Sequence, residues 1–186
     1  MQKLNLGCGQ NMKEGYVNVD KFDSFSPDVV WDLEVTPWPF ESNSVEEISM
    51  YHVLEHLGAQ TDVFFGVMKE LYRVCAPGAL IRLAVPHPRS EVYAADPTHV
   101  RPINLRVLEL FSMKKNREWK ENGSSNSPLA VYLGIDLEVV DLSYTLTTHW
   151  FKKYQQGELT DEDIEFAMRT YYDVAEEIKI DLRAVK

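Results

Sequence analysis

Leu4-Asn5-Leu6-Gly7-Cys8-Gly9, followed at residue 17 by Val17-Asn18-Val19-Asp20, is the pair of segments that decides the fold. Both are short, rich in Leu and Val and flanked by glycine, the composition of strands. The first leaves its strand through Gly7-Cys8-Gly9, where glycine lets the backbone approach a ligand and present its N–H groups. The second ends on Asp20, and a carboxylate ending the neighbouring strand can accept hydrogen bonds from both hydroxyls of a ribose. Together they point to an adenosine-containing cofactor. A Gly-x-Gly pair taken alone fits a tight strand-exit turn equally well, so the segments that follow have to decide.

Outward from this pair the chain alternates strands with helices. Val29-Val30-Trp31 and Val45 to Met50 read as the third and fourth strands, separated by the breakers Thr36-Pro37-Trp38-Pro39. Thr61 is placed to cap a helix running to about Cys75, with Phe64, Val67, Met68, Leu71 and Val74 recurring at three- and four-residue spacing. Ala76-Pro77-Gly78 stops it, and Ala79 to Val85 is apolar on both faces, as a strand inside a parallel sheet would be. The 19 residues from Pro86 to Asn104 hold four of the nine prolines, a loop long enough to be functional. A helix is predicted from about Ile103 to Met113, then a solvated loop from Lys114 to Pro128. Leu137 to Thr147 alternates, with Val140, Leu142, Tyr144 and Leu146 on one face. Thr160, followed by Asp161, Glu162 and Asp163, starts a helix whose stripe is Ile164, Met168, Tyr171 and Ala175. Ile178 to Arg183 fits helix or strand, and its strict alternation favours strand.

At 186 residues the chain is long enough for one domain with its own core. It has 45 % hydrophobic and 26 % charged residues and no apolar run of the roughly 20 residues that span a membrane. Disordered, collagen-like and membrane classes are excluded. A formal net charge of −10 disfavours nucleic acid as a partner. Cys8 and Cys75 are the two cysteines and form no C-x-x-C pair, so neither a disulfide framework nor a thiolate metal cage is expected. Residues 1–7 carry no secretory apolar stretch, and the protein is expected in the cytoplasm. Asn122-Gly123-Ser124 is then a chance match to a glycosylation acceptor.

Over about residues 3–86 the sequence resembles the class I S-adenosylmethionine-dependent methyltransferases. Leu4 to Gly9 looks like their first motif, Asp20 like their ribose-binding acidic residue, and Asp32-Leu33 like the adenine-contacting pair after the third strand. Pro37 to Phe40 through Glu47-Ile48, then Tyr51-His52-Val53-Leu54-Glu55-His56-Leu57, is similar to the stretch through their fourth strand. Glu70 to Leu80 resembles their helix-to-fifth-strand junction. The resemblance implies an α/β, Rossmann-like, mostly parallel sheet of about seven strands with an antiparallel C-terminal strand and helices on both faces. It makes residues 1–186 one domain, with 86–128 as acceptor-side loops and helix and 148–176 as a helical insertion before the last strand. The implied cofactor is S-adenosylmethionine, held by Gly7, Cys8, Gly9, Asp20, Lys21, Asp32, Leu33, Tyr51 and His52. One departure stands out: Gln10 to Gly15 is too short for the helix that a parallel crossover normally carries. Asp20 and Asp32 also have the plainer reading of caps on turns, and Cys8 fits better as a small turn residue than as a nucleophile.

Two rival functions have sequence support. His52-Val53-Leu54-Glu55-His56 matches H-x-x-E-H, in which two histidines four apart on a helix bind zinc and the glutamate is the base of a hydrolase. No third ligand can be named from the sequence, and no metal is assigned. The other rival is an S-adenosylmethionine-binding protein without catalysis, because methyl transfer needs few catalytic side chains. For the enzyme, His52, His87 and His99 are the candidate bases, and Arg89 or Arg101 could hold an anionic group. Asp96 paired with Arg101 or His99 is the structural alternative. The fourth strand is followed by neither an Asn- or Asp-Pro-Pro-aromatic segment nor a Pro-Cys nucleophile, which argues against DNA. A small-molecule, carbohydrate-like or carrier-bound acceptor is expected.

Overall fold

Seven aliphatic or alternating segments pair into one sheet. The computed structural model describes residues 1–186. Its strands are β1 (Gln2–Leu6), β2 (Val17–Asp20), β3 (Val29–Val30), β4 (Val45–Tyr51), β5 (Cys75–Pro86), β6 (Leu137–Leu146) and β7 (Ala175–Ala184). They lie in the order β3-β2-β1-β4-β5-β7-β6, with β7 antiparallel to both neighbours and every other pairing parallel. The order reverses between β1 and β4, which opens a crevice at their carboxyl ends. Seven helices connect them: α1 (Thr61–Val74), α2 (Glu91–Ala95), α3 (Leu105–Glu109), α4 (Met113–Glu121), α5 (Leu129–Leu133), α6 (Thr148–Gln155) and α7 (Asp161–Thr170). No helix is long and apolar enough to cross a membrane.

Strand parity makes the two faces of the sheet different. Leu4 stands beside Ile48, Ile48 beside Ile81, and Ile81 beside Leu182, forming an aliphatic layer. Phe64, Val67, Met68 and Leu71 of α1, with Leu108 and Phe111 from the α3 region, complete that core. One residue out of phase, Asn5, Ser49, Arg82 and Asp181 run across the other face. Partners there come from the strands themselves: Arg82 reaches Glu47 at 3.2 Å and Asp181 at 3.3 Å. The expected shortening of the first crossover is real. Residues 7–16 form turns without a helix, and from this loop Tyr16 hydrogen-bonds Glu47 and Lys13 reaches Ser49. On the polar face the first crossover thus contributes loop side chains in place of a helix.

Two of the segments that carry the family resemblance turn out to clamp one another. Arg73 donates from Nε to Glu70 Oε1 at 2.7 Å and from its terminal nitrogens to Glu70 Oε2, Trp38 O and Phe40 O. Trp38 N–H completes the fork on Glu70 Oε2 at 2.6 Å, with the indole itself buried. The Pro37–Phe40 segment is thus tied to α1 by charge-assisted bonds.

Several local expectations are corrected. The helix expected over 103–113 is only α3, because the chain turns at Leu110–Ser112 and restarts as α4 inside the segment read as a solvated loop. Ser112 Oγ caps α4 through Lys115 N–H, and Asn116 bonds back to Leu110 O, a tie that hydrophobic periodicity does not reveal. α1 begins after Gln60 without the expected Thr61 side-chain cap. A bulge between Val139 and Asp141 breaks the alternation of β6, and Val140 and Tyr144 are exposed. α7 has the expected Thr160 cap, in a reciprocal box with Asp163, but it stops at Thr170. Tyr171 is therefore exposed, and Ala175 opens β7, which takes up Ile178 to Arg183.

Candidate functional site

Two cavities meet at the carboxyl ends of β1 and β4. The first, about 430 Å³, is lined by Gly7, Asp20, Lys21, Asp32, Leu33 and His52 among others. The second, about 550 Å³, is lined by Gly7, Cys8, Gly9, Tyr51 and His52, with Asn11, Glu177 and Lys179. All nine residues expected to hold the cofactor fall in one cavity or the other, and Gly7 and His52 belong to both.

Backbone geometry explains the glycines. Gly7 has φ +64°, and a Cβ there would lie 2.4 Å from a Val53 methyl. Gly9, at φ +48°, would place a Cβ in open space, and its N–H donates to Asp20 Oδ2 at 2.8 Å. Asp20 is buried, and its Oδ1 accepts Phe22 N–H at 2.9 Å. Two backbone donors leave a carboxylate with lone pairs to spare, enough for a diol. Asp32 Oδ1 accepts Glu34 N–H at 3.0 Å, so it caps a turn and lines the cavity at once. Lys21 Nζ lies over the Phe22 ring at the rim, 5.1 Å from its centroid. Phe22, Phe25 and Trp31 wall the first cavity, and sequence reasoning missed all three. Their signal was position: each stands within a few residues of a strand end.

Cys8 lines the second cavity and is itself buried. Burial, and then the Asp20 carboxylate, push its thiol up, and burial pushes Cys75 up to about 12.

The histidines separate. His52 adopts φ +55° and joins the two cavities. Its Nε2 lies 2.8 Å from Glu177 Oε2, and its Nδ1 lies 3.6 Å from Glu55 Oε1, too long for a hydrogen bond. The neighbouring Glu55 carboxylate raises His52 above the ordinary histidine range, with Glu177 adding to it and burial opposing. His87 lies outside both cavities with its ring against Tyr144, and burial, then Arg89, push it down. His99 is buried behind His56, stacked on Tyr93 with its Nδ1 2.8 Å from Tyr93 O. Thr98, beside it, does reach the first cavity.

The zinc-hydrolase geometry is absent, because residues 52–56 are a strand end, a left-handed His52 and one 3-10 turn (Leu54–His56), so the two histidines do not share a helix face. Arg89 does not face an anion either: it donates to Arg169 O at 2.7 Å at the end of α7. Arg101 donates to Gly58 O at 2.7 Å and stacks over Phe64. Of the structural pairings suggested for Asp96, His99 is the nearer, at 3.8 Å.

No protein-family model matches the chain. No curated protein matches it either. Solved structures do. A SAM-dependent methyltransferase from Archaeoglobus fulgidus aligns over 98 % of this chain and 85 % of its own, with TM-score 0.63 and 17 % identity. Another, from Mesorhizobium loti, covers 98 % and 90 % with TM-score 0.51 and 16 % identity. The fold is that of the class I S-adenosylmethionine-dependent methyltransferases. The cyclase SpnF aligns over 99 % and 75 % with TM-score 0.53 and 12 % identity, so this methyltransferase fold carries more than one chemistry. Function has to be argued from the site.

Proposed function

We propose that the protein binds S-adenosylmethionine across the two cavities and transfers its methyl group to a small-molecule, carbohydrate-like or carrier-bound acceptor. The observation that carries this reading is the convergence of Gly7, Gly9, Asp20 and Asp32, from three chain segments, on connected cavities at the sheet's switch point. Asp20 would take the ribose hydroxyls, and Asp32 and Leu33, with the Trp31 ring, the adenine. Glu177 and Lys179, 3.4 Å apart in an ion pair that also meets His52, line the second cavity where the amino and carboxyl groups of the methionyl end would lie. The bound group supplies a sulfonium whose methyl is already activated. The protein's own task is to hold, orient and keep water out. His52, at the junction, can accept a proton from an acceptor only above its raised pKa, and below that it acts as a hydrogen-bond donor.

Calorimetric titration with S-adenosylmethionine and S-adenosylhomocysteine tests the reading. Both should bind, and Asp20→Asn and Asp20→Ala should weaken both by about 10- to 100-fold, the value of hydrogen bonds to a charged group. Absence of binding, or binding indifferent to both substitutions, would sink it. Turnover on a panel of hydroxylated and amine acceptors then separates a transferase from a protein that only binds.

A further inference from the structure

Behind the wall formed by His56 and Thr98 lies a group that the cofactor reading does not use. Glu55 is 1 % exposed, and neither carboxylate oxygen has a hydrogen-bond partner. Ligand atoms of Glu55, His56 and His99 all lie within 4.8 Å of one another. The tautomers of both histidines follow from their other contacts. His99 Nδ1 faces Tyr93 O, which can only accept, so Nδ1 carries the hydrogen. His56 Nδ1 faces Thr98 Oγ1 at 2.9 Å, and the Thr98 hydroxyl hydrogen is spent on Asp96 Oδ1 at 2.6 Å. His56 Nδ1 therefore also carries its hydrogen. Both Nε2 atoms are left with free lone pairs, His56 Nε2 standing 3.9 Å from Glu55 Oε1 and His99 Nε2 in the same cluster. The buried Glu55 carboxylate thus has no hydrogen-bonded partner, with His52 Nδ1 near it at 3.6 Å, which is costly unless a cation joins the cluster.

We infer that Glu55, His56 and His99 form a binding site for a divalent first-row transition metal ion of the zinc type. Two imidazoles and one carboxylate, each imidazole fixed by a hydrogen bond at its far nitrogen, is a donor set such ions take with an open position left over. The ligand atoms need to close by only about 1 Å to reach metal–ligand distances of roughly 2.0–2.2 Å. Asp96 Oδ2, 3.8 Å from His99 Nε2, stands within reach as a further oxygen donor. Because His56 and Thr98 line the first cavity, the open position faces it. An acceptor oxygen, as in an alcohol or a diol, is the ligand class that such a position would orient and acidify. The ion site stands independently of methyl transfer, whereas that last role rests on it.

The test needs neither cofactor nor acceptor. Chelator-treated protein is titrated with Co²⁺, read by visible absorption, and with Zn²⁺, read by calorimetry and thermal unfolding. One ion per chain should bind with a ligand-field band of mixed nitrogen and oxygen coordination, and Tm should rise by about 5–10 °C at a hundredfold excess over Kd. Glu55→Gln and His99→Gln should each weaken binding by more than about 100-fold. Glu55→Gln, which replaces the uncompensated charge with an amide, should keep the metal-free Tm at or above that of the parent, so lost binding is not mistaken for lost folding. Absence of uptake by the parent overturns the inference, as does unchanged affinity in either variant. A parent that binds metal but no S-adenosylmethionine would leave the ion site standing and defeat the methyltransferase reading instead.

Discussion

At the residue scale the contrast between Gly7 and Gly9 shows what the strand-exit turn requires. Both lie at positive φ, but only Gly7 is hemmed in, by Val53. Gly9→Ala should cost about 1–2 kcal/mol for the left-handed backbone alone. Gly7→Ala adds a steric overlap at the junction of the cavities and should cost about 3–4 kcal/mol. Urea unfolding of the two variants compares them, and equal losses would show that backbone conformation, not the approach of Val53, selects glycine at position 7. Gly7, Asp20 and Asp32 could be named from the sequence because each closely follows or ends a strand, and all three line the first cavity. His99 could be suspected as a base but not as a partner of Glu55 and His56. Their meeting depends on the path of the 86–104 loop, which brings Val100 and Arg101 N–H onto Glu55 O. No local pattern encodes that return. The aromatic wall carried only a signal of position: Phe22, Phe25 and Trp31 stand near strand ends but otherwise read as ordinary apolar residues.

At the scale of elements, long periodic segments were readable and short polar ones were not. α1 and β5 follow from hydrophobic spacing, whereas α4 has little apolar content and is held by the Ser112 cap and the buried Asn116. The Pro37–Phe40 and Glu70–Leu80 segments were readable as motifs, yet their clamp on one another was not. Burial pushes the Glu70 carboxyl up, but the Arg73 guanidinium and the Trp38 N–H more than offset this and hold it below the usual range. A carboxylate with a lowered folded pKa contributes stability in full above its unfolded value of about 4.3, and loses it as pH falls through the folded value. Glu70→Gln should therefore cost about 2 kcal/mol at pH 7, where charge-assisted bonds are lost, and progressively less below about pH 4. Urea unfolding at pH 7 and at pH 3 measures both. A penalty that stays constant with pH would trace the clamp to shape and not to charge.

For the whole molecule, a mostly parallel sheet of about seven strands with an antiparallel last strand was legible, while the strand order and what takes the place of the first helix were not. The short Gln10–Gly15 segment signalled a missing helix, but what replaces it emerges only from contacts that converge on Asn18. Its Oδ1 accepts Asn5 Nδ2 and Lys13 N–H, each at 2.8 Å. Its Nδ2 donates to Lys13 O, Tyr16 O and Asp28 Oδ2. One buried amide thus ties β1, β2 and the connecting loop together, where a helix would have supplied its own backbone bonds. The same loop carries Gly9 and Asn11 into the second cavity, so its order and the site's order are coupled. Asn18→Ala leaves Asn5 and Lys13 N–H without their acceptor and should cost about 2–4 kcal/mol. Hydrogen exchange should quicken at residues 10–16 before it does so in β4 and β5, and affinity for S-adenosylhomocysteine should fall with it. If amide protection of the loop is unchanged in that variant, the strands alone hold it. Asn18 would then be a core polar residue with no part in shaping the site.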